Sequence, residues 1–447
     1  MNFSIHFFAL SILGFISMNQ PVAHAYHVRA ENQISTLNLD ATAPAWNNQI
    51  SGQVLDVSGN PVLNARVVFG GEQYTVDSQG RFLIDAKNGS GNLLVMKAGF
   101  RKVGVAPQAG SIKVALVRAE VKGLYLEPGY LKSKNKIFQN EMDLAAQTEL
   151  NAVTVDFKTD DGFVIDGLKP FIDLLHSKHV YAIARVVAFK DSQTVKSHPE
   201  WAITALNGTP WKNRKGATFL NPFSEEAQQY LIGVAQKAVE AGFDEVQYDY
   251  VRFPDQSNVA TTAIWKDQNG NAIAYNPTTR TAAIQKFLSN SRKTLGAMGA
   301  FLAADVFGDT AFVNTDSGLG QRIEDIAPYL DYVCPMVYPS GYGLSYDGIS
   351  HPEKHPAEIV ADSIRHYRAR ADKTNKDLVI RPWLQAFRGY VEHTPYGASE
   401  ISCQIAACTD SKKYGGLSDG GFLLWNAANH YTSAGLAPEA DEESPLQ

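Results

Sequence analysis

The chain has 447 residues, of which 45% are hydrophobic and 19% charged, a composition that is ordinary for a soluble globular enzyme. Its length exceeds one average domain and suits a small domain followed by a large barrel. A formal net charge of -6 argues against non-specific nucleic-acid binding, which requires a basic surface. No segment is long and apolar enough to predict a membrane span.

The first 25 residues have the pattern of a secretory signal peptide. Phe7 to Ile16 is a short apolar core, and Ala23-His-Ala25 is a small-x-small cleavage site. We therefore expect export to the periplasm or the surroundings of the cell. Residues 26–45 are polar, lack a periodic pattern and are predicted to be a linker.

Residues 46–118 are predicted to form a small all-β sandwich. Short alternating segments are separated there by the turn signals Ser58-Gly-Asn-Pro61, Asp77-Ser-Gln-Gly80 and Asn88-Gly-Ser-Gly91. The text "SGQVLDVSGNPVLNARVVFGGEQYTVDSQGRFLI" resembles the carboxypeptidase-regulatory-like, transthyretin-like domains. That resemblance implies an accessory binding or spacing role.

Residues 119–433 are predicted to form a (β/α)8 barrel, because short apolar strands alternate with helical stretches over roughly 300 residues. The alternative is an open doubly wound sheet, but no Gly-rich phosphate loop follows the first strand. The predicted strands are Val121–Leu126, Ala152–Asp156, Val180–Val187, Glu245–Tyr250, Ala300–Val306, Tyr332–Tyr338, Leu378–Trp383 and Gly421–Trp425. The predicted helices are Glu141–Thr148, Leu168–His176, Glu225–Ala241, Thr281–Leu295, Ile323–Tyr329 and Ala357–Ala371.

The end of the chain, residues 434–447, is acidic, lacks apolar anchors and is predicted to be a disordered tail. Three cysteines are too few for a disulfide scaffold. Cys334 falls in an apolar strand. Cys403 and Cys408 lie too far apart to bridge if they share a regular helix, and their pairing is left open.

The predicted fourth strand carries the first candidate for chemistry. Val246, Tyr248 and Tyr250 alternate with Gln247 and Asp249, so one face is apolar and the other polar. A carboxylate on the inward face is costly to bury unless it is used or paired. Asp249 is therefore a candidate catalytic residue.

Polar and aromatic residues recur at the carboxyl ends of the other predicted strands, the edge at which barrel enzymes have their active sites. Two carboxyl groups at that rim predict glycoside hydrolysis, in which one protonates the leaving oxygen and the other is the nucleophile or activates water. Aromatic rings would stack on sugar faces, and Arg, Asn and Gln would bind hydroxyl groups. The predicted substrate-binding residues are Glu127, Asp156, Arg185, Arg252, Tyr338, Arg381, Trp383, Gln385, Trp425 and Asn426.

Eight segments in order also resemble one family: "VKGLYLEPG", "TELNAVTVDFKTDDG", "YAIARVVAFKD", "GFDEVQYDYVRFP", "ADVFG", "PYLDYVCPMVYPS", "RPWLQAF" and "GFLLWNAAN". They are similar to a glycoside-hydrolase-like (β/α)8 family of unassigned function, distantly similar to α-amylase-type barrels. This resemblance implies that Asp249 is the nucleophile. It places Asp305 at the acid/base position, where amylases carry Glu, and Glu127 and Asp156 stay open as alternatives for that role.

The leading prediction is an exported glycoside hydrolase that acts on a poly- or oligosaccharide, and we expect the reaction to retain the anomeric configuration. It needs no cofactor or metal and no nucleic-acid partner, and the oligomeric state is left open. The alternative is a non-catalytic glycan-binding protein of the cell envelope, on a degenerate barrel. A weaker alternative is metal-dependent deacetylation through His351 and His355, whose segment is bracketed by Pro352 and Pro356.

Overall fold

A computed structural model of the protein describes residues 49–86, 89–108, 110–131, 135–267, 269–415 and 418–439. The predicted signal peptide and linker lie outside the described residues. No helix within the described ranges is long and apolar enough to cross a membrane.

The first described unit, which we call the β-domain, consists of two small sheets on a common apolar core. Alternating residues face that core; in the first strand Ile50 and Val54 are buried while their neighbours are more exposed. This is the pattern of a sandwich strand with one solvated face. One sheet contains Gln49–Asp56, Arg81–Asp85 and Ser111–Leu116, and the other contains Arg66–Phe69, Glu72–Thr75, Leu93–Met96 and Val103–Val105.

The second unit is a closed barrel of eight parallel strands, as predicted. Each strand pairs with the next in chain order, the eighth pairs with the first, and the fifth and sixth pair to complete the ring. Barrel strands one to eight are Val121–Leu126, Ala152–Lys158, Tyr181–Val187, Glu245–Asp249, Phe301–Phe307, Tyr332–Val337, Val379–Ile380 continued by Trp383–Gln385, and Gly421–Trp425. Pro382 interrupts strand seven between its two parts.

Helices cover the outside of the barrel and bury their apolar faces against the strands. In the helix after strand three, Ser224 accepts a hydrogen bond from the backbone of Ala227, a typical N-cap. The main helices are Lys136–Gln147, Lys169–Ser177, Glu225–Glu240, Pro277–Ala297, Ile323–Ile326, Pro356–Ala371 and Ala398–Thr409. The last of these was missing from the sequence prediction.

Cys403 and Cys408 both lie on the helix Ala398–Thr409, and both are free thiols, as is Cys334. The regular helix therefore keeps the pair apart, as the spacing argument expects.

Two long connections at the carboxyl ends of strands three and four fold against each other. Strand Thr204–Ala205 pairs with Ala263–Ile264, and Trp211 Nε1 donates to Thr262 Oγ1 at 3.0 Å. The Asn221 amide donates to the carbonyl of Lys266 at 2.9 Å. The two loops thus form one wall beside the barrel mouth.

The β-domain covers the amino-terminal end of the barrel, opposite the predicted site. Val68 and Met96 of the β-domain share an apolar cluster with barrel residues that include Tyr181 and Phe301. The ammonium group of Lys102 donates to the carbonyls of Asp244 and Gly299 on the barrel, at 2.6 and 2.9 Å. The contact between the β-domain and the barrel is therefore apolar, with additional hydrogen bonds from Lys102.

The segment 434–439 corrects part of the predicted tail. The Ala437 carbonyl accepts from the backbone of Glu149 at 2.9 Å, and Ala437 N–H donates to the Glu149 carboxylate at 3.0 Å. Pro438 also forms a bridge with Thr148. These backbone contacts require few apolar anchors, which is why composition did not reveal them. Residues 440–447 lie outside the described part.

Candidate active site

A pocket of about 340 Å³ opens at the carboxyl ends of the barrel strands. Residues from all eight strands or the turns that follow them contribute to it, so the barrel closure itself brings them together. Its lining residues are Tyr125, Asp160, Arg185, Asp249, Tyr250, Arg252, Asp305, Phe307, Met336, Tyr338, Trp383, Trp425 and Ala427. Seven of the twelve predicted site residues are among them.

Asp249, at the end of strand four, is held by Arg185 of strand three. Arg185 Nε and Nη2 both donate to Asp249 Oδ2, at 3.0 and 2.6 Å. The backbone N–H of Tyr250 donates to Asp249 Oδ1 at 2.6 Å. The Asp249 carboxyl group is thus held in place by charge-assisted hydrogen bonds at both of its oxygens.

Asp156, from strand two, contacts the other end of the same arginine. Its Oδ1 accepts from Arg185 Nη1 at 2.6 Å, and its Oδ2 accepts from Tyr125 Oη at 3.0 Å. Burial raises the pKa of Asp156, although Arg185 and Tyr125 favour its charged form. Asp156 and Asp249 raise the pKa of Arg185 well above its usual value, although burial alone would lower the pKa of Arg185. Asp156 therefore lies behind Arg185 and does not line the pocket.

Asp305, from strand five, has a different environment. It is only 2% exposed, and its Oδ1 accepts hydrogen bonds from Gln247 Nε2 at 2.7 Å and Trp383 Nε1 at 2.8 Å. Burial, together with the nearby negative charge of Asp249, raises the pKa of Asp305 well above its usual value. The Asp305 carboxyl group therefore tends to retain its proton.

Tyr250 enters the pocket because the chain turns sharply after Asp249. The alternation in the sequence predicted Tyr250 on the apolar outer face, but its φ of +48° is left-handed and redirects its side chain. The same turn aims the Tyr250 N–H at Asp249. An uncommon backbone conformation of this kind is typical of functional sites, where it fixes the catalytic group.

Arg252 lies between two aromatic rings and does not bond to Asp249. Its guanidinium carbon is 4.7 Å from the ring centre of Tyr250 and 4.6 Å from that of Phe307. Lys190 contacts the Tyr250 ring as well, at 4.8 Å, and pairs with Asp160. Arg252, Lys190 and Asp160 thus place charges and hydrogen-bond donors at this side of the pocket.

The three predicted aromatic residues all line the pocket. The rings of Trp383 and Trp425 meet edge-on with centres 5.5 Å apart, and Trp425 packs on Tyr125 at 4.3 Å. Burial, with Asp305 and Asp249 nearby, raises the pKa of Tyr338 well above its usual value. The rings give the pocket an apolar surface around its carboxyl groups.

Arg381 and Glu127 do not line the pocket, contrary to the sequence prediction. Arg381 is fully buried deeper in the barrel, where it forms an ion pair with Glu245 at the start of strand four. An inward side chain early in strand seven points into the barrel core, below the rim. The Glu127 carboxylate lies beside Gly129 in the turn after strand one.

Gln385 and Asn426 were also predicted at the rim but bind loops. Gln385 Nε2 donates to Ser340 Oγ at 2.8 Å and to the carbonyl of Phe387 at 3.1 Å. The Asn426 amide donates to the carbonyl of Ala386 at 2.7 Å. Their polar groups are used in fixing the connections after strands six to eight.

Sequence reasoning missed several residues that shape the site. Gln247 and Tyr125 share the inward face of their strands with predicted residues, so strand periodicity could have identified them. Phe307, Met336 and Ala427 carry no chemical signal of their own. Asp160 lies in the turn after strand two and was not among the predicted site residues.

The two histidines that suggested a metal site do not face each other. His351 Nδ1 contacts the Glu392 carboxylate at 2.9 Å, whereas His355 Nδ1 contacts Glu358 at 3.2 Å. Across the described ranges, no group of three or more His, Cys, Asp or Glu side chains is arranged to hold a metal ion.

Comparison with solved structures gives several similar barrels. A hypothetical protein from Ruminiclostridium thermocellum ATCC 27405 is 32% identical, covering 41% of this chain and 97% of that chain, with a TM-score of 0.35. The PgaB (BpsB) glycoside hydrolase domain from Bordetella bronchiseptica is 14% identical over 70% of this chain and 96% of its own, with a TM-score of 0.48. The α-galactosidase TtGalA from Thermus thermophilus is 14% identical over 83% and 69%, with a TM-score of 0.42.

No curated protein matches the chain. A family model described as "Putative glycosyl hydrolase domain" matches residues 123–431, which include most of strand one, the other seven barrel strands and the whole pocket. Because this match covers more than half of the chain, the protein belongs to that glycosyl hydrolase family.

Proposed function

We propose that the protein hydrolyses O-glycosidic bonds of a poly- or oligosaccharide, with Asp249 as nucleophile and Asp305 as general acid/base. The observation that carries this proposal is the contrast between the two carboxyl groups of one pocket. Asp249 accepts hydrogen bonds from the Arg185 guanidinium group and the Tyr250 N–H, whereas burial and the nearby Asp249 raise the pKa of Asp305. Glycosidases assign the two roles by such a difference in environment.

Retention of configuration is the second part of the proposal. Strands four and five are neighbours in which Gln247 pairs with Ala303 and Tyr248 with Ala304, so Asp249 and Asp305 follow side by side. Neighbouring strands lie about 4.8 Å apart. That spacing supports a separation near the roughly 5–5.5 Å of retaining enzymes, compared with roughly 6.5–9.5 Å for inverting ones.

In the proposed reaction, Asp249 attacks the anomeric carbon while Asp305 donates its proton to the leaving glycosidic oxygen. The C–O bond breaks, and a glycosyl ester on Asp249 remains. Asp305, now a carboxylate, takes a proton from water, which attacks the same carbon and releases Asp249. Arg185 stays bound to Asp249 and keeps its carboxylate oriented.

The test begins with purified protein and a panel of bacterial exopolysaccharides, with analysis of the products. We expect Asp249→Asn to lower turnover by about 10³-fold or more while the protein stays folded. Asp305→Asn should lose activity on the polysaccharide. Its Asp249 should still be glycosylated by a 2,4-dinitrophenyl glycoside of the same sugar, because dinitrophenolate leaves without being protonated. Asp309→Asn, on the exposed turn after strand five, is the matched control.

Full activity in Asp249→Asn would exclude the nucleophile assignment. A wild-type protein that binds a glycan but releases no product after prolonged incubation would favour the glycan-binding alternative.

We also propose that the protein is exported and acts on saccharides in the periplasm or outside the cell. The support is the apolar core Phe7 to Ile16 and the cleavage pattern Ala23-His-Ala25. Amino-terminal sequencing of protein from producing cells should find Tyr26 first, and a chain that still begins at Met1 would contradict export by cleavage.

A further inference from the structure

A row of aromatic rings leads from the pocket to the surface. Tyr338, in the pocket wall, meets the ring of Phe387 edge-on at 5.5 Å. Phe387 and Tyr390 have ring planes within 3° of parallel and centres 6.4 Å apart. Tyr390 is 59% exposed. The two rings are stacked and Tyr390 is the outer, exposed one; we call this pair of side chains the platform.

The loop that carries the platform is fixed by a buried carboxylate. Glu353 is fully buried and accepts three backbone hydrogen bonds, from Val391 at 3.0 Å, Glu392 at 3.2 Å and Thr394 at 2.7 Å. Burial alone would raise its pKa, but these donors lower the pKa of Glu353. The carboxylate is thus wholly engaged in holding the loop after strand seven.

Close packing beneath the platform restricts the loop further. Gly389 N–H donates to the Thr394 carbonyl at 2.9 Å, and a Cβ at Gly389 would collide with the Glu353 carboxylate. On the other side, a Cβ at Gly341 would lie 3.4 Å from Tyr390 Oη. The loop is therefore set in position by Glu353 and by the turn Pro339–Tyr342.

This combination is costly for a purely structural loop. Burying the Glu353 carboxylate costs free energy and orders a surface segment, yet Tyr390 at the tip of that segment stays exposed and covers none of the core. Preorganised aromatic side chains bind ligands with little loss of conformational entropy on association. The rigid loop therefore points to a binding role for its rings.

We propose that Phe387 and Tyr390 bind a sugar unit of the same saccharide chain whose neighbouring unit occupies the pocket. The ring faces would stack on the apolar C–H face of that unit, as the pocket aromatics would on theirs. This inference rests on the proposed function and adds that the substrate is long enough to extend past Tyr338 onto the platform. A single sugar held in the pocket would not reach it.

The binding test uses full-length Asp249→Asn protein in native affinity gels that contain dextran, galactomannan, glycol chitin or alginate. We expect at least one polysaccharide to retard the protein, and adding Tyr390→Ala to weaken that retardation by about tenfold. Tyr390→Phe, which keeps the ring, should behave as the parent. Leu83→Ala, at an exposed position of the β-domain, controls for general surface changes.

The kinetic arm separates the platform from the catalytic proposal. In otherwise wild-type enzyme, Tyr390→Ala should raise KM for the polysaccharide about tenfold with little change in kcat, and leave a 2,4-dinitrophenyl monosaccharide unaffected. Equal losses on both substrates, unchanged retardation, or no retardation by any of the four polysaccharides would overturn the platform. Platform-dependent retardation without hydrolysis by the wild type would instead contradict the proposed reaction alone.

Discussion

Asp249 and Asp305 are the same residue type on neighbouring strands, and their surroundings alone make them different. Asp249 has a guanidinium group and a backbone N–H as donors, whereas Asp305 has the neutral donors Gln247 and Trp383. A charge-assisted bond stabilises a carboxylate more strongly than a neutral one does. The proposed roles of the two residues therefore depend on strand three, which supplies Arg185 to Asp249 and not to Asp305.

Trp383→Phe tests how Asp305 is tuned. The Trp383 indole N–H favours the charged form of Asp305, against the larger effects of burial and of Asp249, which raise its pKa. Without that donor the pKa of Asp305 should rise further, so the general acid should stay protonated to higher pH. We expect the alkaline limb of the kcat/KM profile to move to higher pH, with kcat reduced by no more than about tenfold.

Trp425→Phe is the matched control, because Trp425 lines the same pocket and has no hydrogen bond to Asp305 within the described residues. The alkaline limb of the kcat/KM profile of Trp425→Phe should lie at the same pH as that of the wild type. A limb that moves to lower pH in Trp383→Phe, or by the same amount in both variants, would contradict the role of Asp305 as general acid.

At the scale of elements, periodicity predicted the barrel well. Strands one and eight have the predicted bounds, and the other strands differ at their ends by a few residues. Buried parallel strands are near-continuous apolar runs, which are easy to recognise. The helix Ala398–Thr409 was missed because its sequence, with Ser402 and two cysteines, has no clear polar face.

The candidate site was harder to predict, because the depth of a side chain in the barrel cannot be deduced from strand membership. Arg381 and Trp383 are two residues apart on one inward face, yet Trp383 reaches Asp305 while Arg381 pairs with Glu245 below. Tyr250 depends on a left-handed residue after a strand, for which a tyrosine gives no local signal. Both features are properties of the closed barrel.

The helix Lys136–Gln147 gives a prediction for stability. Glu141 lies on its buried face with Phe138 and Met142, and neither carboxylate oxygen has a hydrogen-bond partner among the described residues. Burial raises the pKa of Glu141 to about 9. The folded state thus retains a proton that the unfolded state releases, so this residue lowers the stability as the pH rises from the unfolded pKa towards 9.

We expect the free energy of unfolding of Glu141→Gln, relative to wild type, to increase by up to about 1.4 kcal/mol per pH unit between roughly pH 5 and 9. Urea unfolding of both proteins at a series of pH values measures this difference. Asp143→Asn, at an exposed position of the same helix, is the control. A difference that does not change with pH would show that Glu141 is ionised in the folded protein.

At the scale of the whole molecule, the β-domain is built into the barrel. Arg66 of the β-domain donates to both oxygens of Asp331, at 2.9 and 3.0 Å, and Arg292 of the helix Pro277–Ala297 pairs with the same carboxylate. Asp331 also accepts from the backbone of Leu302 at 3.0 Å. Because this carboxylate is buried and lies just before strand six, it joins the β-domain, a helix and the barrel.

This arrangement changes the role implied by the resemblance to accessory domains. A binding module on a flexible tether would have a solvent-exposed surface. Val68 and Met96 are instead buried against the amino-terminal end of the barrel. The candidate active-site pocket lies at the opposite end. We therefore infer that the β-domain supports the barrel, and that saccharide recognition belongs to the rim.

Asp331→Asn tests this coupling. The substitution leaves the buried guanidinium group of Arg66 and the partly exposed one of Arg292 without their counter-ion, which should lower the free energy of unfolding by about 3–5 kcal/mol. Calorimetry should show one transition for the whole chain, shifted as a unit, because the β-domain and the barrel share the contact. Asp173→Asn, which removes an exposed pair with Lys169 on one helix, should change stability by less than about 0.5 kcal/mol. Two separate transitions, of which only one responds to Asp331→Asn, would mean that the domains fold independently and that the β-domain does not support the barrel.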